Sequence, residues 1–256
     1  LVTIDNALDE SLRRRDLGRP RLAIDRSFTI SGFGTVVTGT LIDGTLAVGQ
    51  EVTIIPGGKR SRIRGLQSHQ KKIGIAEPGN RIAVNLSGVA MDEIERGEVV
   101  TTPGWLRPTR AVDVRLRLLE AAPHNVRHNY PVMFHAHASE APARVRLLAD
   151  EELKPGEEGW AQIYLDELVA LARGDRFVIR SPNTTLGGGY VVDVDARRHR
   201  RNHMPTIERL ERLAEGSPTA QLLSALEATE PSNVTSLARR ANLSDIESLE
   251  LARQAV

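Results

Sequence analysis

Phe28-Thr29-Ile30-Ser31-Gly32-Phe33-Gly34-Thr35-Val36-Val37-Thr38-Gly39 is the stretch whose reading decides the fold. Its glycines, one residue apart, have the spacing of a nucleotide-binding loop. A phosphate loop needs a helix N-terminus after its glycines, because the free amides there receive the anion. Here the glycines lead into Thr35-Val36-Val37-Thr38, β-branched throughout, and branching at Cβ favours a strand over a helix. The stretch reads as strand, glycine turn, strand: one hairpin of a β-barrel.

Around this hairpin, short strands separated by turn residues continue the pattern. Leu22 to Ile30 and Thr35 to Leu41 form the hairpin, Asp43-Gly44 makes a turn, and Glu51 to Ile55 is a strand stopped by Pro56-Gly57-Gly58. Arg60 to Gln67 and Arg81 to Leu86 follow, and Pro103-Gly104 closes the unit. Past Pro108, Val112, Val114, Leu116 and Leu118 alternate with Asp113, Arg115 and Arg117, the signature of a half-buried strand. Met133 to Ala138, Ala143 to Leu148, Gly159 to Leu165, Phe177 to Arg180 and Tyr190 to Val194 extend the series. From Pro205 the pattern turns helical, with Ser217-Pro218 and Ser244-Asp245-Ile246-Glu247 as helix openings. The expected fold class is therefore mainly β: two successive small barrels followed by the start of a winged helix. The domains are residues 1–19, a helical tail with Arg13-Arg14-Arg15 and a linker; 20–105, the first barrel; 108–201, the second; and 202–256, the partial winged helix.

Bulk composition excludes little. With 34 basic and 33 acidic side chains the net charge is +1, so a nucleic-acid partner has to be argued from local charge. The chain has no cysteine, hence no disulfide framework and no thiolate metal site, which fits a cytoplasmic protein. It has no apolar run long enough to span a membrane. It begins at Leu1 without an initiator methionine or signal peptide, as a fragment or processed product would.

Candidate chemistry narrows by elimination. Gly58-Lys59 is the sole Gly-Lys pair, but Arg60 stands where a phosphate loop needs Ser or Thr, and Thr53 stands where it needs glycine. No catalytic residues are assigned. His135 and His137 are expected on one side of a strand, two imidazoles without further ligands, so no metal is assigned. The densest cationic run, Arg197-Arg198-His199-Arg200-Arg201, follows a strand, where a phosphate backbone has room to lie against a barrel exit.

Two sets of residues then resemble a known family. Phe28 to Thr40, together with Glu93-Ile94-Glu95-Arg96-Gly97-Glu98-Val99-Val100, resembles the second domain of elongation factor Tu-like translation factors. Asp175 to Arg180, Thr184 to Asp193 with its Gly187-Gly188-Gly189, and Arg198 to Arg201 are similar to the third domain of the bacterial selenocysteine-specific elongation factor. Asp193-Val194-Asp195 departs from that family's pattern, which has Asp-Pro after the glycines.

The resemblance implies a non-enzymatic, tRNA-binding part of a translational GTPase. GTP and Mg would belong to a GTPase domain not contained in this chain, and no cofactor is expected here. The implied partners are selenocysteinyl-tRNA, the ribosome and, through later C-terminal modules, the mRNA hairpin that directs selenocysteine insertion at UGA. No membrane is implied. It also implies a pocket for the aminoacyl end. Phe28 matches a residue lining that pocket, and Gln67 and His69 match a residue stacking near the terminal adenine and a pocket histidine. Asp25-Arg26 precede Phe28, and the general factors typically carry an acidic residue at the position of Arg26 and asparagine at that of Arg81. Two fixed positive charges there would favour a selenolate over a neutral seryl group, with Asp25 orienting one guanidinium. Arg197, Arg198, Arg200 and Arg201 are the implied tRNA-backbone contacts. The competing expectations are the same domains of another translational GTPase, binding ordinary aminoacyl-tRNA or the ribosome, and a stand-alone enzyme with a barrel active site.

Overall fold

A computed structural model describes residues 16–194, 196–215, 237, 238, 241, 243 and 245–254. The expected helix over residues 2–15 lies outside the described residues, as do the helix opening at Ser217-Pro218 and Ser244 of the capping box.

The first barrel is built from β1 (Arg21–Ile30), β2 (Gly34–Asp43), β4 (Glu51–Ile55), β5 (Lys59–Ser68), β8 (Arg81–Ser87) and β9 (Val99–Thr101). They pair in the order β4-β9-β1-β2-β8-β5, and β5 returns to β4 to close the ring. Strand β6 (Lys71–Ile73) hangs outside the ring on β5, and β3 (Leu46–Ala47) pairs with β7 (Ile75–Ala76). Leu22, Ile24, Val37, Leu41, Ile54, Ile63, Leu66, Ile82, Val84 and Leu86 fill the interior. The opening stretch is the β1–β2 hairpin, with Gly32 and Gly34 at positive φ in its turn.

The second barrel closes as β10 (Pro108–Leu118), β15 (Glu158–Ala170), β13 (Ser139–Leu147), β12 (Tyr130–Ala136), β16 (Arg176–Ser181) and β17 (Thr184–Asp193). A small pair, β11 (Val126–Arg127) with β14 (Glu152–Leu153), flanks it. The alternation read at 112–118 holds, with Val112, Val114, Leu116 and Leu118 all buried. Two expectations change. The last strand starts at Thr184, not Tyr190, and takes in all three glycines. A Cβ on Gly187, Gly188 or Gly189 would lie 2.3, 2.4 or 1.8 Å from the carbonyl oxygens of Arg117, Phe177 or Arg115, so the flanking strands approach where only glycine fits.

His135 and His137 also do not share a strand face. Strand β12 ends at Ala136, and His137 sits in the hairpin turn to β13 at φ 53. Its Nε2 lies 3.1 Å from Asp175 Oδ1, while His135 faces Glu140 at 3.8 Å. The tight turn rotates His137 out of register with His135 and toward the first barrel. Among the described residues no group of three or more His, Cys, Asp or Glu is placed to hold a metal.

The barrels meet through one buried ionic cluster and an apolar seam. Arg21, 2% exposed, donates to Asp43 of its own barrel (2.7 Å) and, through both terminal nitrogens, to Asp175 of the other (2.6 and 2.8 Å). Ile55, Val99, Trp105, Leu106, Ala170 and Ala172 pack beside it. Gly97, at φ 95, comes so close to the β12–β13 hairpin that a Cβ there would lie 2.8 Å from Ser139 Cα.

Helix α1 (Met204–Ala214) packs Ile207, Leu210 and Leu213 on Leu148, Trp160 and Val192 of the second barrel. Helix α2 (Asp245–Gln254) follows later in the chain. No helix among the described residues is long and apolar enough to cross a membrane.

Candidate functional site

The candidate site lies on the outer face of the first barrel, and strand register builds it. Val37 and Leu41 of β2 point into the core, so Val36, Thr38 and Thr40 point out. Arg26 pairs with Thr38, and Phe28 with Val36. On the other side of β2, Thr38 pairs with Ala83, Thr40 with Arg81 and Val36 with Asn85. Ala83 pairs in turn with Gln67. Arg26, Phe28, Gln67 and Arg81 therefore share one face, around a floor of the small side chains Thr38 and Ala83.

Asp25 joins this face through a break in register between Ile24 and Arg26, which makes it the extra residue of a β-bulge. Both terminal nitrogens of Arg81 contact its carboxylate, Nη2 at 2.8 Å from Oδ1, and the Thr38 hydroxyl donates to Oδ1 at 2.9 Å. The Arg81 side chain is 55% exposed and that of Asp25 25%. Burial works against ionising Asp25. Hydrogen bonds from Arg81 and Thr38 and the charges of Arg81 and Arg26 outweigh it and hold the carboxyl below its ordinary range. The pair is thus ionised at neutral pH, and one guanidinium is fixed in orientation.

The other expected pocket residues fall around this pair. Phe28 is partly exposed, with Ile30 and Phe33 exposed beyond it at the hairpin tip. His69 sits in the β5–β6 turn, its Nδ1 3.0 Å from Ser68 Oγ, and Ser68 Oγ lies 3.5 Å from the Arg81 carbonyl. Thr38, which fixes Asp25, enters the sequence reading only as part of the branched run after Gly34, and Ala83, which leaves the floor open, belongs to no motif; neither is picked out there as a site residue. They come to light only through the pairing.

The arginine run lies on the second barrel, fastened by residues between and behind the arginines. Gln162 donates to the Arg197 carbonyl (2.8 Å), His199 Nε2 lies 2.7 Å from Asp113 Oδ2, and Arg201 donates to the Asp150 carbonyl (3.0 Å). Arg209 of α1 reaches Asp193 (2.7 Å) and Asp113 (3.4 Å). Burial raises the Asp113 carboxyl above its ordinary range, partly offset by the hydrogen bond and charge of His199. Arg197, Arg198 and Arg200 remain exposed. His199 is an anchor that a cationic-run reading passes over.

The one Gly-Lys pair does not fit a nucleotide. Gly58 is a turn residue at φ 74 and Lys59 opens β5, not a helix, with its ammonium 2.5 Å from Glu93.

Residues 34–101 match the family described as elongation factor Tu domain 2, and residues 112–198 match the selenocysteine-specific elongation factor β-barrel domain. The chain is 39% identical over 216 residues to a selenocysteine-specific elongation factor of Desulfomicrobium baculatum, an alignment covering 84% of this chain and 34% of that protein. The chain belongs to the selenocysteine-specific elongation factor family, and it spans about a third of the length of the curated relative it matches.

Proposed function

We propose that the outer face of the first barrel binds the aminoacyl end of selenocysteinyl-tRNA and selects it by charge. The observation that carries this reading is the bidentate Asp25–Arg81 pair, with Arg26 on the same face. A selenol is far more acidic than a serine hydroxyl and is an anion at neutral pH, whereas seryl-tRNA presents a neutral group. Arginine stays charged under all these conditions. A charge-assisted hydrogen bond to the selenolate contributes about 1.5–3 kcal/mol, or roughly ten- to a hundredfold in affinity. Asp25 engages both terminal nitrogens of the Arg81 guanidinium and fixes its orientation. Phe28 supplies an apolar wall, and Gln67 and His69 lie on the side of the terminal nucleoside.

The exposed Arg197, Arg198 and Arg200, with Arg201, form the second contact, on the tRNA backbone. In the longer protein the role is delivery of selenocysteinyl-tRNA to the ribosome at UGA. GTP, Mg and the mRNA hairpin are engaged there by parts outside this chain.

The test is the ratio of affinities for selenocysteinyl- and seryl-tRNA, in the longer protein carrying Arg26→Ala or Arg81→Ala. Each variant is expected to lower the ratio about tenfold or more. Unchanged ratios in both would sink the proposal.

A further inference from the structure

We infer that Lys72, on the edge strand β6, is a phosphate contact that extends the pocket by one nucleotide along the RNA; this rests on the aminoacyl-end reading above. Strand β6 stands outside the closed ring and pairs with β5 alone. The turn joining them is two residues long, His69-Gln70, with φ 49 and 64. Both lie in the left-handed region, where hairpins ordinarily place Asn-Gly, so the chain accepts local strain to hold this edge in place.

Register decides which lysine matters. Leu66 pairs with Ile73, Gln67 with Lys72 and Ser68 with Lys71. Leu66 is buried and Ile73 packs with it against the core, so Lys72 shares the outer face with Gln67, and Lys71 points to the opposite side. One cross-strand row therefore runs Arg26, Thr38, Ala83, Gln67, Lys72 over five strands. It has a cation at each end and small or neutral side chains between. Lys72 is exposed, and no ion pair among the described residues neutralises it.

The spacing fits one nucleoside. The Arg81 guanidinium reaches across to Asp25 beside Thr38 of β2, and β2 and β6 are three strand spacings apart, about 14 Å, the span of a nucleoside together with its aminoacyl group. With the aminoacyl group at Arg81 and Asp25, the terminal nucleoside lies across Ala83 and Gln67, and the phosphodiester on its 5′ side falls at Lys72. An ammonium on a flexible stem is a point charge suited to a single phosphate oxygen.

The probe is an acceptor-stem minihelix with a short single-stranded 3′ tail, not aminoacylated, titrated against this chain from about 50 to 200 mM salt. Loss of one phosphate contact on a single strand makes the slope of log affinity against log salt shallower by about 0.7. Lys72→Ala is therefore expected to bind more weakly at low salt, with its deficit shrinking about 2.6-fold over that range. Lys72→Arg restores the slope, and Lys71→Ala keeps it. Lys72→Ala and Lys71→Ala behaving alike would overturn the inference, as would absence of binding by the unaltered chain. The outcome separates from the pocket reading: Lys72→Ala leaves the selenocysteinyl-to-seryl ratio unchanged, whereas Arg81→Ala lowers it.

Discussion

Arg21 and Arg81 each hold an aspartate with both ends of a guanidinium, yet they sit in opposite surroundings. Arg21 and its partner Asp175 are 2% and 1% exposed and bridge the two barrels. Arg81 is largely in solvent and meets Asp25 on the outer face of one barrel. A buried pair is costly to break, because the survivor is left charged in a medium that cannot solvate it. An exposed pair adds little to stability, since water competes for both partners. The same chemistry thus serves architecture at one place and, in the function proposed above, presents a guanidinium to a ligand at the other.

The largest effect that would break this contrast lies at the buried site. Arg21→Ala strands both Asp43 and Asp175 and is expected to cost about 3–5 kcal/mol, read from denaturant unfolding. At the exposed site, Arg81→Ala is expected to lower the selenocysteinyl-to-seryl ratio by about tenfold or more, equivalent to about 1.5–3 kcal/mol.

An acid titration sharpens the contrast next. Burial opposes ionisation of Asp175, but the charge of Arg21 and hydrogen bonds from His137 and Arg21 hold its carboxyl well below the ordinary range. A depressed carboxyl contributes stability above its unfolded value, about 3.9, and loses it as pH falls through the folded value. The denaturant midpoint should therefore decline as pH drops below about 4, and Asp175→Asn should flatten that limb. Asp113, raised by burial, works with the opposite sign and above about pH 4, adding stability as pH falls toward its unfolded value. The smallest effect belongs to Asp25→Asn, expected to change unfolding free energy by less than about 1 kcal/mol because its partner is mostly exposed.

Much of the fold was legible along the chain because its signals are local. Alternation at 112–118 marks a half-buried strand whatever lies across from it, and the branched run after Gly34 rules out a phosphate loop by itself. The misses are long-range. Arg21 and Asp175 lie 154 positions apart, and Asp43 looks like a turn residue until its carboxylate is seen to be buried. Gly187 to Gly189 carry no strand signal of their own, because the crowding that demands glycine comes from the backbones of β10 and β16. At the site, Asp25, Arg26, Phe28 and Arg81 were named through family resemblance. The bulge that turns Asp25 toward Arg81, and the pairing that aligns Lys72 with Gln67, belong to strand register, which no local pattern encodes.

The most direct test measures two quantities on one variant: the selenocysteinyl-to-seryl affinity ratio and the unfolding free energy of Arg81→Ala. The account predicts a ratio lower by about tenfold or more with stability changed by less than about 1 kcal/mol. An unchanged ratio, or a ratio that falls only together with a loss of several kcal/mol in stability, would contradict it.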